Sequence, residues 1–363
     1  HIVHGNGGFY QDPKSELYFG NSGTAVRLLA GLLASSNINA VLLGDRSLSS
    51  RPMLRVIDPL KKMNIFMEHH NGFLPIKIKN HNNYIIPCKH TLKSGSAQVK
   101  SAILLASLGI NGTTTILEKI GSRNHTEIML KHLGANININ SNKISLESPN
   151  FLKPKDIHVP GDFSSASFLI VACLITQKSK INLKNVGLNY FRTGLIDVLK
   201  KMNANIKIKN KRTLSGEIVG DIEVYNSNLK GINLSGKISS RMIDEYPIVF
   251  IAAAFASGVS IFKGLGELKV KESNRLKVMY ETLKILGVKV KISENQIQIE
   301  GSKNYTCEAK IKTFDDHRIA MSSLIFGIAS NGSVEIDDMS MIATSFPNFK
   351  KTFEELGAKI KFV

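Results

Sequence analysis

The sequence predicts an α/β protein in two domains, made by copying one β-α-β-α-β-β module along the chain. Three observations carry this expectation. A segment that ends a helix and opens a strand recurs at nearly constant spacing, small polar residues repeatedly open apolar helical runs, and proline turns interrupt the series near residue 160. With 363 residues, 43% of them apolar, the chain can build two cores.

The recurring segment is taken first. It reads Leu60-Lys-Lys-Met-Asn-Ile-Phe-Met67, Leu130-Lys-His-Leu-Gly-Ala-Asn-Ile137, Leu199-Lys-Lys-Met-Asn-Ala-Asn-Ile206, Leu283-Lys-Ile-Leu-Gly-Val-Lys-Val290 and Phe353-Glu-Glu-Leu-Gly-Ala-Lys-Ile360. Aligning Met63, Leu133, Met202, Leu286 and Leu356 gives steps of 70, 69, 84 and 70 residues. Gly or Asn follows each, as expected where a chain leaves a helix through a left-handed residue. A period of about 70 is too long for a common solenoid and suits a small domain module.

The helix starts come next. Asn21-Ser-Gly-Thr24 precedes Ala25–Leu33, Ser94-Gly-Ser96 precedes Val99–Leu108, and Gly161-Asp-Phe-Ser-Ser165 precedes Ala166–Ile175. Asp244 is expected to open Tyr246–Ala256, and Asp315-Asp316 to open Ile319–Ile328. Ser, Thr and Asp at such places satisfy free backbone N–H groups, and helix starts also attract anions. The chain opens within a strand-like stretch, His1-Ile-Val-His4, so five copies predict a first one missing upstream. The 84-residue step and the turns at Lys153-Pro-Lys-Asp156 and Val159-Pro-Gly161 predict domains 1–159 and 160–363.

Composition excludes several classes. No apolar run approaches the ~18 residues of a membrane span; Pro247–Ala256 and Phe168–Ile175 are the longest. Cys88, Cys173 and Cys307 form no CxxC pair and no metal-ligand spacing, which fits a reducing compartment. The net charge of +18 comes without an arginine-rich tail, an aromatic-interleaved basic stripe or any Trp. Lysines alternate along strand-like segments such as Lys207-Ile-Lys209 and Lys289-Val-Lys291, as on solvated strand faces. A basic balance of this kind favours anionic metabolites over nucleic acid.

Four clusters then pair cations with carboxylates. Lys271-Glu-Ser-Asn-Arg275 precedes Leu276, Met279, Leu283 and Leu286, a helical spacing that puts Lys271 and Arg275 on one face of a first turn. Cations there oppose the helix dipole and call for an anion. Asp316-His-Arg318 repeats the design, Asp244-Glu245 opens the most apolar helix with a candidate general base, and Arg51-Pro52 sets a bidentate anion ligand in a rigid loop. Ser96 and Ser164-Ser165 lack a nucleophile elbow, and His90 and His158 complete no triad.

These residues resemble those of the 5-enolpyruvylshikimate-3-phosphate (EPSP) synthase family. The matching stretches are GNSGTAVRLL from Gly20, GDRSLSSRPM from Gly44, SAQVKSAILLASL from Ser96, SRNHTEIML from Ser122, GDFSSASF from Gly161, IDEYPIVFIAAAFASG from Ile243, LKVKESNRL from Leu268, DHRIAM from Asp316 and ATSFPNF from Ala343. They run in family order, and SAQVKSA is similar to the class II form. The resemblance implies two domains of three modules each, with the active site in the cleft between them. It also implies transfer of the enolpyruvyl group of phosphoenolpyruvate to the 5-hydroxyl of shikimate 3-phosphate, with loss of phosphate. The step belongs to the shikimate pathway to chorismate and aromatic amino acids, and it needs no metal or organic cofactor. A cytoplasmic monomer is expected, or a plastid protein if a transit peptide has been removed.

Site residues follow from the same resemblance. Ser96, Ala97, Gln98 and Arg123 should hold shikimate 3-phosphate, with Ser122 nearby. Asp244 should take the 5-hydroxyl proton, Lys271 contact that hydroxyl, and Glu272 protonate the methylene carbon. Arg275 and Arg318 should clamp the phosphoenolpyruvate carboxylate, with His317 adjacent. Arg51 should meet its phosphate in a pocket lined by Gly23, Thr24 and Gln98. Two anions in one site and fixed cations around migrating charge agree with that chemistry.

Some family features differ. The Lys-Ser pair and following Arg of the first motif would lie upstream of His1, so the chain as written is expected to bind poorly and turn over little. Thr344 stands where some relatives carry Lys, Asn124 where Asp is usual, and Gly23 is the form that leaves room for glyphosate. One rival, UDP-N-acetylglucosamine enolpyruvyl transferase, usually carries a Cys before the Arg-Pro pair, and Asp45–Ser50 contains none. A truncated, inactive paralogue acting as a basic binding protein is the other; intact Asp244, Lys271, Glu272, Arg275 and Arg318 speak against it.

Overall fold

A computed structural model describes residues 4, 7, 10–79, 84–93, 95–149 and 151–361. The strand expected from His1 and the cap expected at Ser94 lie outside them. The chain forms two compact units, His1–Ile157 and His158–Val363.

The first unit holds two copies of the module. In the first, strand Leu17–Tyr18, helix Gly23–Ala34, strand Ala40–Leu43, helix Leu54–Lys62 and the hairpin Met67–His70/Phe73–Ile78 follow in order. The second runs Lys89–Leu92, Ala97–Ala106, Gly112–Glu118, His125–His132 and Ile137–Asn140/Lys143–Ser148. Both sheets share one topology: the first strand lies parallel to the second, which pairs antiparallel with the fourth, which pairs antiparallel with the third.

In the second unit the same order recurs in Asn233–Leu234, Tyr246–Ala254, Gly258–Lys263, Arg275–Ile285 and Lys289–Ser293/Gln296–Gly301. The preceding copy keeps only a parallel bridge from Gly161 to Val186 in place of a first strand. It continues through Phe163–Ile175, Lys180–Gly187, Gly194–Lys201 and the hairpin Asn205–Leu214/Glu217–Tyr225. The last copy pairs Thr306–Ile311 with Asn331–Ile336 in parallel around helix His317–Ala329 and ends in helix Phe349–Glu355.

The repeat register is set by backbone chemistry. Asn64, Gly134, Asn203, Gly287 and Gly357 have φ of 67, 92, 71, 78 and 95°, so each copy turns through a left-handed residue directly after its second helix. The long 84-residue step contains the extended hairpin of Asn205–Leu214 and Glu217–Tyr225, ten and nine residues against four and six in the first copy.

Packing explains why several helices are apolar all round. Phe163–Ile175, Tyr246–Ala254 and His317–Ala329 pack against one another, and every residue of Tyr246–Ala254 is buried. In the first unit Gly23–Ala34 packs on Ala97–Ala106, where a Cβ at Gly31 would stand 2.2 Å from the Ala102 carbonyl oxygen. Only glycine admits that approach.

Lys207, Lys209, Lys289 and Lys291 are all exposed, as expected of solvated strand faces; Val290 is half-buried between its lysines, whereas Ile208 is itself exposed. One expectation needs correction. Helix Tyr246–Ala254 is not opened by Asp244, which lies in a 3-10 turn, Ile243–Glu245, with its carboxylate directed elsewhere. No helix among the described residues is long and apolar enough to cross a membrane.

Candidate active site

Within the second unit the starts of the three packed helices meet. Asp316 caps His317–Ala329 by accepting from the Arg318 backbone N–H at 3.0 Å, and Asp162 caps Phe163–Ile175 by accepting from Ser165 N–H at 2.8 Å. Asp315, expected to share the capping, sits instead with Phe314 in a left-handed turn, φ of 56 and 54°. Two such non-glycine residues in succession store strain just before Asp316.

Around Asp316 the predicted residues assemble. Arg275 is wholly buried and binds Asp316 in bidentate fashion, Nε to Oδ2 at 2.8 Å and Nη2 to Oδ1 at 3.1 Å. Its Nη2 also stands 2.6 Å from Glu272 Oε2 as an ion pair without hydrogen-bond geometry. Its Nη1 lies 3.6 Å from Asp244 Oδ1 and makes no hydrogen bond among the described residues. Lys271 Nζ donates to Asp244 Oδ1 at 3.2 Å, and Arg318 Nη1 donates to the Asp244 backbone carbonyl at 3.0 Å. Asp244, Lys271, Glu272, Arg275 and Arg318 are therefore one cluster, with His317 between Asp316 and Arg318 in sequence.

The local helix differs from the expected one. Lys271 is not in a first turn, because Asn274 caps the helix through its side chain, accepting from Lys277 N–H at 3.2 Å, and Arg275 is the first helical residue. Lys271 reaches Asp244 from the preceding bend. The unfavourable cation at the helix start is balanced by Asp316 and Glu272 within the protein.

Electrostatics fix the charge states. Burial disfavours the charged form of Arg275, but Asp316, Glu272 and Asp244 outweigh it and raise its pKa further. Burial likewise works against the Asp316 carboxylate, and Arg275 overcomes it, lowering that pKa. His317 is pushed down to about 4 by burial and by Arg318, so it is neutral near pH 7. The arrangement thus offers fixed cations, a half-buried carboxylate at Asp244 and a second at Glu272, suited to moving protons beside an anion.

Sequence reasoning missed the extension of this network. Ser164 Oγ donates to Glu245 Oε1 at 2.5 Å, and Arg192 Nη2 donates to Ser164 Oγ at 2.7 Å and to Asp162 Oδ1 at 2.8 Å. Glu245 is fully buried, 3.7 Å from Arg318 Nη1. Arg192 lies in no recognisable motif, and its partners are about 30 residues away in sequence. Glu245 was visible only as a helix opener.

The first unit carries a second polar group. Gln98 Nε2 donates to Thr24 Oγ1 at 2.9 Å, and its Oε1 accepts from Arg27 Nη1 at 2.8 Å. Arg51 Nη2 donates to Asn21 Oδ1 at 2.5 Å and Ser47 Oγ at 3.1 Å. A Cβ at Gly23 would lie 3.0 Å from Arg27 Nη1 and 3.4 Å from Arg51 Nη1, so the glycine keeps both guanidinium groups close to the helix start. Gly23, Thr24, Arg51 and Gln98 are thereby gathered, with Arg27 as the unforeseen link. Its signal was its place one turn beyond Gly23 on the same helix.

Ser96 is the N-cap of Ala97–Ala106 without a side-chain capping bond, and Ala97 and Gln98 open that helix. Ser122 is buried and donates Oγ to Glu118 Oε1 at 2.5 Å, while Arg123 follows it, half-buried, before helix His125–His132. Among the described residues no group of three or more His, Cys, Asp or Glu side chains is arranged to hold a metal ion.

The family described as EPSP synthase (3-phosphoshikimate 1-carboxyvinyltransferase) matches residues 1–353. The 3-phosphoshikimate 1-carboxyvinyltransferase of Ruthia magnifica is 43% identical over 351 residues, covering 97% of this chain and 80% of that protein. Its counterpart from Zymomonas mobilis is 46% identical over 370 residues, covering 99% and 82%. The solved EPSP synthase from Acinetobacter baumannii superposes with a TM-score of 0.85 at 38% identity, covering 97% of this chain and 81% of that one.

Proposed function

Because the chain belongs to the EPSP synthase family, we propose that it moves the enolpyruvyl group of phosphoenolpyruvate onto the 5-hydroxyl of shikimate 3-phosphate and releases phosphate. The observation that carries this reading is the cluster in which Asp244 Oδ1 lies 3.2 Å from Lys271 Nζ and 3.6 Å from Arg275 Nη1.

In this reading Asp244 takes the 5-hydroxyl proton while Lys271 steadies the oxygen. The oxygen attacks C2 of phosphoenolpyruvate, and Glu272 gives a proton to its methylene carbon. The tetrahedral adduct then loses the C–O bond to phosphate, which leaves with the proton Asp244 took up, and a methyl proton returns to Glu272, leaving the enol ether and inorganic phosphate. Arg275 and Arg318 hold the carboxylate of phosphoenolpyruvate, with His317 adjacent. The buried Arg275 Nη1, which makes no hydrogen bond among the described residues, supports that assignment.

The first unit supplies the remaining contacts. Arg51, Gly23, Thr24 and Gln98 receive the phosphoenolpyruvate phosphate; Ser96, Ala97, Gln98, Ser122 and Arg123 receive shikimate 3-phosphate. The enzyme works as a monomer in the cytoplasm. Gly23 leaves room for glyphosate, so the enzyme is inhibited by it. Phosphate release by the full-length protein tests the whole reading: it should require both substrates, and release from phosphoenolpyruvate alone at the same rate would refute it.

A further inference from the structure

A lysine in the first unit is enclosed with two carboxylates, none of the three assigned a role so far. Lys100 and Glu127 are each 1% exposed and Glu118 is 5% exposed. Lys100 Nζ lies 2.9 Å from Glu118 Oε2 and 2.7 Å from Glu127 Oε1, and it donates to the Ser122 backbone carbonyl at 3.4 Å. The second oxygen of Glu118 accepts from Ser122 Oγ at 2.5 Å. Glu127 Oε2 has no hydrogen-bond partner among the described residues, and burial raises the pKa of that carboxyl against the opposing pull of Lys100.

Four separate pieces of chain meet here. Lys100 belongs to helix Ala97–Ala106, Glu118 ends strand Gly112–Glu118, Ser122 lies in the following loop, and Glu127 is in the first turn of helix His125–His132. Burying three ionisable groups is a poor way to gain stability, since apolar residues of similar volume commonly serve as well or better. What such a cluster does supply is geometry, because each charged hydrogen bond has a preferred direction and length. Lys100 holds the Ser122 carbonyl and, through Glu118, the Ser122 hydroxyl. The loop carrying Ser122 and Arg123 is thereby fixed relative to the helix whose first residues are Ala97 and Gln98.

We propose that Lys100, acting with Glu118, is a positioning residue that sets the Ser122–Arg123 loop in register with the Ser96–Gln98 helix start, so that the two segments form one preformed site for shikimate 3-phosphate. This rests on the function proposed above. Lys100, Glu118 and Glu127 are not among the substrate contacts assigned above, and the loop they hold, Ser122–Arg123, is assigned to shikimate 3-phosphate alone.

The test uses the full-length protein and two variants. Lys100→Met removes the central cation. Lys100→Met/Glu118→Leu/Glu127→Leu removes every buried charge, and should fold even if the single variant does not. In the folded variant the KM for shikimate 3-phosphate should rise about tenfold or more while that for phosphoenolpyruvate stays within about twofold. Calorimetry should show the same loss of shikimate 3-phosphate affinity. A triple variant that melts near the wild-type temperature and keeps the wild-type KM for shikimate 3-phosphate would overturn the proposal. Wild-type protein that turns over neither substrate would overturn the functional reading instead.

Discussion

Lys271 Nζ and Asp244 Oδ1 stand 3.2 Å apart, joining a cation from the bend before one helix to a carboxylate in the turn before another. In the function proposed above, the carboxylate accepts the proton of a substrate hydroxyl and the cation steadies the resulting alkoxide.

Asp244→Ala and Glu272→Gln should each lower kcat by about 100- to 10,000-fold, the range of general acid–base assistance. The change in KM should be small by comparison. Steady-state phosphate release measures both, and near-wild-type kcat in either variant rules out the role given to that residue.

Arg275→Met should be costly to stability as well as to activity. It leaves Asp316, which is wholly buried, without its bidentate partner. Breaking a buried pair from one side costs about 3–5 kcal/mol. Urea unfolding followed by circular dichroism reads this directly; a loss below about 1 kcal/mol, the value of an exposed pair, would show that Asp316 finds a substitute.

Gly23→Ala brings a Cβ to within 3.0 Å of Arg27 Nη1 and 3.4 Å of Arg51 Nη1, the movable ends of two side chains. The fold should survive while the two guanidinium groups shift. The expected outcome is a raised KM for phosphoenolpyruvate, by about tenfold, and weaker inhibition by glyphosate, with little change in the KM for shikimate 3-phosphate. Equal losses for both substrates would contradict the assignment of this pocket. Gly31→Ala should behave otherwise: its Cβ meets a backbone oxygen at 2.2 Å that cannot swing away, so thermal stability should fall by about 1–3 kcal/mol.

Acidification should expose His317. Burial, with Arg318 beside it, holds the imidazole at about 4, whereas in the unfolded chain it titrates near its ordinary value of about 6.5. Between those values the unfolded chain binds a proton that the folded one refuses, so stability rises with pH there. The contribution is complete above the unfolded value and is lost as pH falls toward the folded one. Asp316, lowered from 3.8, loses its contribution only at more acid pH. Urea midpoints at about pH 7 and about pH 5 should therefore drop less in His317→Asn than in wild type; an equal drop would contradict the assignment.

Much of this architecture was legible because local chemistry enforces it. The residues after Met63, Leu133, Met202, Leu286 and Leu356 are Asn or Gly, and all five adopt positive φ. The apolar run from Tyr246 reads as a fully buried helix and is one. The spacing of Leu276, Met279, Leu283 and Leu286 predicts a helix whose first turn reaches back to Lys271, but Asn274 caps it and starts it at Arg275. Arg192, Glu245 and Lys100 were beyond reach for another reason. Their partners lie 28, 81 and 18 residues away, and no local period encodes such contacts.

The most direct test of the central claim is ³¹P NMR of the full-length protein with phosphoenolpyruvate and shikimate 3-phosphate, beside the same mixture with Asp244→Ala. The account predicts equal growth of inorganic phosphate and of a new phosphomonoester resonance from the enol ether in the wild type, and neither in the variant. Phosphate appearing while shikimate 3-phosphate remains unchanged would contradict it.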